Sequence, residues 1–586
     1  METYKEKLEM LRTVISQQGL QGFIIPMNDE FQGEYIPDSA KRLEWLTSFN
    51  GSNGLAIVLQ NKAAFFTDGR YTLQAAEQVP DDFLRFNMVE VSPWDWVKQE
   101  LKPTDILGFD PWLHTEKNLS LYKKYVTLKP CVPNLIDTLW HDRPKPPQSN
   151  VVIHDNQYAG VSSTEKREQL AEYLSASGLD SLLLTAPDSI CWLLNIRGND
   201  VPHTPFSLCF AIAHRDRSVD LFIDKNKITQ DVKKYFSDEI RIHALESISS
   251  YFKQLKNNIK IQIDPTNASA WFLHALQEQS LDIVEASDPC QLWKACKNPV
   301  ELAGARAAHI RDGAAVTTFL HWLTTHVDNE AITELSATEV LRDMRAKNPL
   351  FQDLSFDTIA GFGSNGAIVH YRVTEKTSKY LKKNGIFLLD SGAQYLDGTT
   401  DITRTIVLGK PTQEQKDNFT RVLKGHIALA LATFPQGTTG SQLDALARYH
   451  LWQAGLDYDH GTGHGVGSYL SVHEGPQRIS KIANSIALQP GMIISNEPGY
   501  YKAGEYGIRI ESLVAVIEKK ELSKNKPFFG FETLTRAPID LQLVNQSMLT
   551  AAEAEWLHSY HRQVQHDLTP LLNKETAAWL EQAIQG

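Results

Sequence analysis

The chain has 586 residues, a net charge of −12 and a pI near 5.9. This length exceeds one ordinary hydrophobic core and favours three domains, while the acidic balance and the lack of a basic run argue against nucleic-acid binding. No apolar stretch reaches the ~18 residues of a membrane span, and the start METYKEKLEM lacks the apolar core of a signal peptide. Five scattered cysteines, an odd number, favour reduced thiols. We therefore expect a cytoplasmic protein that does not bind membranes.

The first half of the chain contains an internal repeat. KLEMLRTVISQQGLQGFIIP, starting at position 7, aligns without a gap with KREQLAEYLSASGLDSLLLT, starting at position 166. Each copy predicts an amphipathic helix that ends at a glycine and is followed by a buried strand. Such a match can arise from generic α/β composition, but the segments around Trp45 and Trp192 also correspond. A duplicated α/β domain is therefore predicted.

Two further signals divide the chain. The Pro-rich segment HDRPKPPQSN at 141–150 predicts a linker. Asn298 is a candidate N-cap, with Pro299 at the first helical position and Glu301 in the first turn, so a helix and the third domain are expected to start there. We predict an N-terminal domain over 1–150, a related second domain over 151–297 and a third domain over 298–586. A capping box over 550–553 predicts a helix in a C-terminal helical extension.

The third domain contains a predicted hairpin that carries two acids. In IFLLDSGAQYLDGTTDITRTIVLG an apolar run leads into Asp390, and the chain turns at Asp397-Gly398. It returns after Asp401 as a β-branched strand, which is a typical hairpin pattern. Turn chemistry alone explains Asp397. Asp390 and Asp401 are therefore the functional candidates, one on each arm.

A second hairpin repeats this arrangement further along the chain. In IISNEPGYYKAGEYGIRIESLVAVI, Glu497 follows one β-like run and Glu511 is expected on a strand over 508–516. Gly499 and Gly504 are expected at the turn between them. Each hairpin can thus direct two acids toward one place.

Four carboxylates brought together would repel one another and would be poorly solvated, whereas two divalent ions would neutralise them. Between the hairpins lies HGTGHGVGSYLSVHEGP, in which His464 has a Gly-rich context that leaves room for a metal. An oxygen-rich set with one imidazole suits Mn, Fe, Co or Mg better than a thiolate-type zinc site. Two ions ~3.5–4 Å apart could activate a bridging water, so a hydrolase is predicted.

These residues carry a resemblance to a known family. With GAIVHY at His370, the acid and histidine motifs resemble the dinuclear metallopeptidases of the pita-bread fold. The motifs LLDSGAQY, DGTTDITRT, HGTGHGVG, HEGP, NEPGYY and GIRIE are most similar to those of the long, three-domain Xaa-Pro aminopeptidases, over nearly the whole chain. The resemblance implies an α/β fold with two creatinase-like N-terminal domains and a pita-bread catalytic domain. It also implies two divalent metal ions, with Mn²⁺ the expected metal, and a homodimer.

The resemblance further implies a role for each candidate residue. Glu497 would be the general base, and His370 and His473 would hydrogen-bond the substrate and the developing oxyanion. The metal ligands would be Asp390, Asp401, His464, Glu497 and Glu511, with Asp401 and Glu511 bridging both ions. The substrate-binding set would be Arg70, His370, His460, His464, His473 and Arg509.

Some assignments stay open at this stage. Arg70, in FFTDGRY, resembles an arginine that reaches the active site from a neighbouring domain or subunit, but it could equally be a solvated turn residue. Arg509 lies two positions before Glu511 and could orient ligand carboxylates. Aromatic candidates for a proline pocket are Tyr371, Tyr500 and Tyr501.

Three functions are compatible with the sequence. The first is an aminopeptidase that acts on peptides with proline in the second position, and the second is a prolidase restricted to Xaa-Pro dipeptides. The third is a non-catalytic pita-bread binding module. The presence of all five ligand residues favours an enzyme over the third alternative.

Overall fold

The computed structural model describes residues 3–255, 258–328 and 331–585, and the chain forms two compact units. Unit 1 comprises residues 1–154 and 161–290, and unit 2 comprises residues 155–160 and 291–586. Among the described helices, none combines the length and apolar character that crossing a membrane requires.

The first part of unit 1 is a six-stranded sheet covered by helices, with strand order β4-β3-β2-β1-β5-β6. Neighbouring side chains of β1 pack into two different cores, Phe23 and Ile25 on one face and Ile24 on the other, because strand side chains alternate. The strands are β1 Gly22–Pro26, β2 Leu55–Leu59, β3 Ala63–Thr67, β4 Leu84–Asn87, β5 Ile106–Phe109 and β6 Thr127–Pro130. The helices are α1 Tyr4–Gln17, α2 Arg42–Thr47, α3 Thr72–Gln78, α4 Pro93–Glu100 and α5 Glu116–Tyr122.

The second sheet of unit 1 has the order β12-β11-β10-β8-β13-β14, and β7 pairs separately with β9. Its strands and those of the small sheet are β7 Val152–Ile153, β8 Ser181–Leu184, β9 Ile196–Arg197, β10 Phe210–His214, β11 Val219–Phe222, β12 Ile240–His243, β13 Lys260–Ile263 and β14 Asp282–Glu285. The helices along this part of the chain are α6 Asn156–Ala159, α7 Ser163–Ala176, α8 Pro187–Leu193, α9 Gln230–Phe236, α10 Ile248–Phe252, α11 Ala270–Glu278 and α12 Pro289–Ala295.

The predicted duplication is confirmed by the two sheets of unit 1. Each has one central strand with an antiparallel partner on one side, β1 with β2 and β8 with β10, and a parallel partner on the other, β5 and β13. The outer pairings match as well. Lys7 Nζ donates to the carbonyl of Trp45 at 2.9 Å and lies 4.7 Å from its ring, while Lys166 Nζ donates to the carbonyl of Trp192 at 2.9 Å and lies 4.3 Å from its ring.

The first helix of the main part of unit 2 starts at the predicted position, directly after Asn298. Asn298 caps it by accepting from the backbone N–H groups of Val300 and Glu301. The helices are α13 Pro299–His326, α14 Glu334–Ala346, α15 Gln413–Ala430, α16 Gly440–Trp452, α17 Ala551–Leu568 and α18 Lys574–Ala583. Helix α17 starts at the predicted capping box, with Thr550 as the N-cap. Residues 141–150, predicted as a linker, contain no helix or strand.

The strands of unit 2 form four sheets, β15-β18-β19, β16-β17-β20, β21-β28-β27-β24-β22-β23 and β25-β26. Their bounds are β15 Phe351–Leu354, β16 Ile359–Phe362, β17 Gly385–Ser391, β18 Ala393–Tyr395, β19 Gly398–Thr399, β20 Ile402–Leu408, β21 Thr433–Pro435, β22 Gly463–Gly465, β23 Glu474–Ile479, β24 Ile493–Asn496, β25 Gly499–Lys502, β26 Tyr506–Arg509, β27 Ser512–Glu518 and β28 Phe528–Thr533.

Both acid-bearing hairpins are confirmed, but each encloses a second, inner hairpin. Strands β17 and β20 pair antiparallel, and the chain between them forms the inner pair β18 and β19, which turns at Asp397. Strands β24 and β27 pair antiparallel, and the inner pair β25 and β26 turns at Gly504, whose φ is 76°. The predicted strand over 508–516 is wrong in detail, because it is broken at Glu511, between β26 and β27. Gly499 begins β25 and does not lie in the turn.

Candidate metal centre

The acids of the two hairpins converge on one imidazole. Asp401, His464 and Glu511 each offer a ligand atom, and these atoms all lie within 4.8 Å of one another. His464 Nε2 lies 3.4 Å from Asp401 Oδ2 and 3.6 Å from Glu497 Oε1. His464 occupies β22, whose neighbour β24 ends immediately before Glu497. The sheet pairing therefore brings the histidine to the junction of both hairpins.

Asp390 is the fourth carboxylate, and Arg509 holds it in place. Its Oδ2 accepts a hydrogen bond from Arg509 Nη2 at 2.6 Å. Its Oδ1 and the Oδ1 of Asp401 are buried and have no hydrogen-bond partner among the described residues. Buried carboxylate oxygens are normally paired, so two unpaired ones that belong to one acid cluster fit the direct binding of a cation.

The electrostatics of the cluster reflect its burial. Burial raises the pKa of Asp390 to about 6, although the charge of Arg509 lowers it. Burial also raises the pKa of Glu497, and it raises the pKa of Glu511 well above its usual range. Burial alone lowers the pKa of His464, but the carboxylates of Asp401 and Glu497 raise it to about 9. Without cations the site would carry protons on its acids, and divalent ions would remove that need.

Backbone and hydroxyl contacts fix the acids of the second hairpin against the first. Glu511 Oε2 accepts from Thr403 Oγ1 at 2.8 Å, and its N–H donates to the carbonyl of Thr403 at 3.1 Å. Arg404 Nη1 donates to the carbonyl of Glu511 at 2.6 Å. Strand β20 thus holds both the side chain and the backbone of Glu511.

Hydrogen bonds with the chain before His464 and with Ser495 hold Glu497 in place. Its N–H donates to the carbonyl of Thr462 at 2.9 Å, and its Oε1 accepts from Ser495 Oγ at 3.1 Å. Its Oε2 lies 3.9 Å from His460 Nδ1. The carboxylate therefore has one oxygen toward His464 and the other toward His460.

A tyrosine connects His460 to the arginine that holds Asp390. Tyr501 Oη lies 2.9 Å from His460 Nε2 and accepts from Arg509 Nη1 at 2.5 Å. Burial raises the pKa of Tyr501 to about 12, so its hydroxyl keeps its proton at neutral pH. Arg509, predicted to orient ligand carboxylates, is 2% exposed and contacts Asp390 directly.

The other two candidate histidines border the same cluster. The ring of His473 lies 4.4 Å from the ring of His464, in an edge arrangement at 83°. His370 follows Val369, whose carbonyl oxygen lies 3.4 Å from Arg509 Nη1. Both histidines are only partly buried.

The contacts of three further residues, Arg70, Asp397 and Tyr371, bear on their predicted roles. Arg70 belongs to unit 1, where Asp68 pairs with its guanidinium at 2.8 Å, and its role stays a prediction. Asp397 is confirmed as a turn residue and pairs with Arg311 at 2.5 Å. Tyr371 was a candidate for the proline pocket, but it is 4% exposed and directs its hydroxyl to a buried carboxylate of α14.

Two buried supports of the site were missed from the sequence. Thr403 could have been found, because it lies two residues after Asp401 on the same strand face. Glu474 follows His473 and forms ion pairs with Lys294, at 2.9 Å, and with Lys297. No local pattern indicates this last pair, because its partners are 177 positions apart.

Comparisons with known proteins cover the whole chain. The model of metallopeptidase family M24 matches residues 303–518, and the model of the C-terminal region of that family matches 527–586. Two models of the creatinase/prolidase N-terminal domain match residues 7–139 and 142–301.

Individual proteins are similar at full length. The chain is 39% identical to a probable Xaa-Pro aminopeptidase P of Aspergillus flavus, over 100% of this chain and 93% of the relative. The crystal structure of X-prolyl aminopeptidase from Caenorhabditis elegans, described as a cytosolic enzyme with a di-nuclear active site, matches with a TM-score of 0.95 and 32% identity over 100% of both chains. The prolidase from Pyrococcus horikoshii shares only the fold, with a TM-score of 0.51 and 24% identity over 64% of this chain and 99% of its own.

Proposed function

Because this chain belongs to metallopeptidase family M24, we propose that it is a metal-dependent aminopeptidase that hydrolyses the N-terminal Xaa-Pro bond of peptides. The observation that carries the proposal is the convergence of Asp401, His464 and Glu511, whose ligand atoms lie within 4.8 Å of one another. Glu497 lies 3.6 Å from His464, and Asp390 accepts a hydrogen bond from Arg509. Full-length similarity to proteins named Xaa-Pro aminopeptidase supports the substrate class.

Two divalent ions are part of this proposal. Asp390, Asp401, His464, Glu497 and Glu511 would hold them, and the oxygen-rich donor set favours Mn²⁺. When bound, the ions would lower the pKa of a water between them and polarise the scissile carbonyl. The two unpaired buried carboxylate oxygens and the raised pKa values of the acids support this assignment.

The side chains of the site would divide the remaining work. Glu497 would accept the proton of the attacking water, and Ser495 and the backbone at Thr462 keep it in place for that role. His370 and His473 would donate hydrogen bonds to the oxygen on which negative charge develops. Both histidines are partly exposed, so a substrate can reach them.

The specificity for proline follows from the chemistry of the bond. An Xaa-Pro bond has no N–H, so a peptidase that depends on that donor binds it poorly. We propose that His460 and Tyr501, which contact each other at 2.9 Å, line the side of the site that receives the proline ring. The free amino group of the substrate would lie near the acids.

The proposed function is tested by comparing three substrates with and without added Mn²⁺. An Xaa-Pro-Xaa tripeptide should be cleaved, whereas an Xaa-Ala-Xaa tripeptide should be a poor substrate. Cleavage of an Xaa-Pro dipeptide alone would move the assignment to prolidase. Binding of Xaa-Pro peptides without any hydrolysis would favour the non-catalytic alternative.

We also propose a cytoplasmic homodimer with three domains, over 1–150, 151–297 and 298–586. A surface that supports self-association is the outer face of α16, where Leu446, Tyr449 and Trp452 are 39, 53 and 46% exposed. Their spacing of three residues places them on one side of the helix. Large apolar side chains that are exposed side by side favour an interface. A second copy of this chain is the proposed occupant.

A further inference from the structure

The segment that carries His370 has no regular structure of its own. Residues 368–379 follow β16 and a short 3₁₀ turn at Gly363–Ala367, and they contain no helix or strand. Such a segment has no hydrogen-bonded ladder to fix it, so its position depends on individual contacts with its neighbours. What holds this segment therefore determines where His370 lies.

Glu334, the first residue of α14, holds Lys379 at the end of the segment and Phe362, the last residue of β16 before the segment. The side chain is completely buried, at 0% exposure. Its Oε1 accepts from the N–H of Phe362 at 2.6 Å, and its Oε2 accepts from the N–H of Lys379 at 2.9 Å. The N–H of Glu334 also donates to the carbonyl of Lys379 at 2.9 Å. One residue thus satisfies both backbone groups of Lys379.

The same carboxylate also holds the interior of this part of the chain. Asn365 Nδ2 donates to both oxygens, at 3.0 and 2.9 Å, and Tyr371 Oη donates to Oε2 at 3.0 Å. Tyr371 is the residue directly after His370. Glu334 therefore receives donors from the start, the middle and the end, which is close to the full accepting capacity of an ionised carboxylate.

On its other side, His370 is close to the metal centre. The carbonyl of Val369 approaches Arg509 Nη1 at 3.4 Å, and Arg509 Nη2 donates to Asp390 Oδ2 at 2.6 Å. His370 thus lies between Val369, which contacts Arg509, and Tyr371, which is hydrogen-bonded to Glu334.

We propose that Glu334 is a positioning residue that fixes His370 for its contact with the reacting peptide, an inference that rests on the proposed function. A glutamine at this position has one accepting oxygen, and its amide group would face donors. At least one donor of the segment would then lose its acceptor, which favours relaxation of the segment. A displacement of a catalytic donor by about 1 Å can cost on the order of 100-fold in rate.

The test compares Glu334→Gln with Glu339→Gln, an exposed acid on the same helix, in the metal-loaded enzyme. Glu334→Gln should lower kcat for an Xaa-Pro-Xaa peptide by about tenfold or more, with a smaller change in KM. It should also accelerate hydrogen exchange in the peptide 368–379. Glu339→Gln should change neither quantity.

The decisive measurement is the same substitution in a His370→Ala background. If Glu334 acts through His370, the double variant should be no slower than His370→Ala alone. The inference would be overturned if the kcat losses of Glu334→Gln and His370→Ala multiplied in the double variant. It would also be overturned if hydrogen exchange of 368–379 were unchanged in Glu334→Gln. If Glu334→Gln does not fold, Tyr371→Phe removes one donor and should give a several-fold loss that likewise disappears without His370. If the wild-type protein fails to cleave Xaa-Pro peptides while Glu334→Gln still exchanges 368–379 faster than the wild type, the proposed function would be rejected and the anchoring role of Glu334 would stand.

Discussion

The charge of Glu511 should make the metal-free protein less stable as the pH rises, and Glu511→Gln should remove this effect. Glu511 is 1% exposed, and burial followed by the charges of Asp401 and Asp390 raises its pKa well above 4.5. The native state therefore keeps a proton that the unfolded chain releases. The contribution of Glu511 to stability is therefore fully present below about pH 4.5 and is lost as the pH rises toward and through the native pKa.

The size of the effect follows from proton linkage. Each pH unit between the unfolded and native pKa values costs about 1.4 kcal/mol for one such group. From pH 6 upward the wild-type protein should thus keep losing unfolding free energy through Glu511 until the pH reaches the native pKa. Glutamine resembles the protonated acid and can still accept from Thr403, so the variant should match the wild type below about pH 4.5 and should be more stable than the wild type at higher pH.

The assay is urea unfolding in the presence of a chelator at pH 6, 7 and 8. Glu518→Gln, an exposed acid on β27, is the matched control and should keep the wild-type pH dependence. With Mn²⁺ at about 100 times its Kd, the wild type should gain about 2.7 kcal/mol and Glu511→Gln should gain much less. Parallel pH profiles for the wild type and Glu511→Gln would refute the reasoning.

Four further predictions concern the metal, the ligand Asp401, the turn residue Asp397 and the proposed dimer. Chelation should abolish hydrolysis and Mn²⁺ should restore it best, so full turnover of a metal-stripped preparation would reject the mechanism. Asp401→Asn should lose bound metal, measured by elemental analysis, and at least about 100-fold in kcat. Asp397→Asn should keep its metal and lose only a partly buried ion pair, worth about 1 kcal/mol of stability. Trp452→Glu should give a monomer by light scattering, whereas the exposed Ile482→Glu should leave the assembly unchanged.

The sequence predicted those features that depend on local pattern. Apolar, β-branched runs beside Gly-containing turns located the outer arms of both hairpins, and cap residues located the starts of α13 and α17. The repeat predicted two related sheets before any strand pairing was known. The two hairpins predicted that the acids cluster, and the need to neutralise four buried carboxylates then predicted the cations.

The features that were missed depend on contacts between distant parts of the chain. The inner hairpins were not predicted, since Gly499 looks like a turn residue although it starts a strand. The partners of Glu334 lie 28 to 45 positions away, so an acid at the start of a helix gives no sign of its donors. Tyr371 looked like a pocket residue because an aromatic side chain beside a catalytic motif has the same appearance whether it faces the substrate or the core.

The nested hairpins separate the geometry of the acids from the length of the chain between them. The outer ladders fix the acids, through Asp390 opposite Thr403 in one hairpin and Asn496 opposite Ser512 in the other. The inner hairpins carry the chain away from these ladders and back again, and the base of the second one also supplies Tyr501 and Arg509 to the site. Residues could therefore be inserted or removed at the tips near Asp397 and Gly504 without changing the distance between the acids. The length of the chain at these tips can therefore vary while the acid cluster itself stays constant.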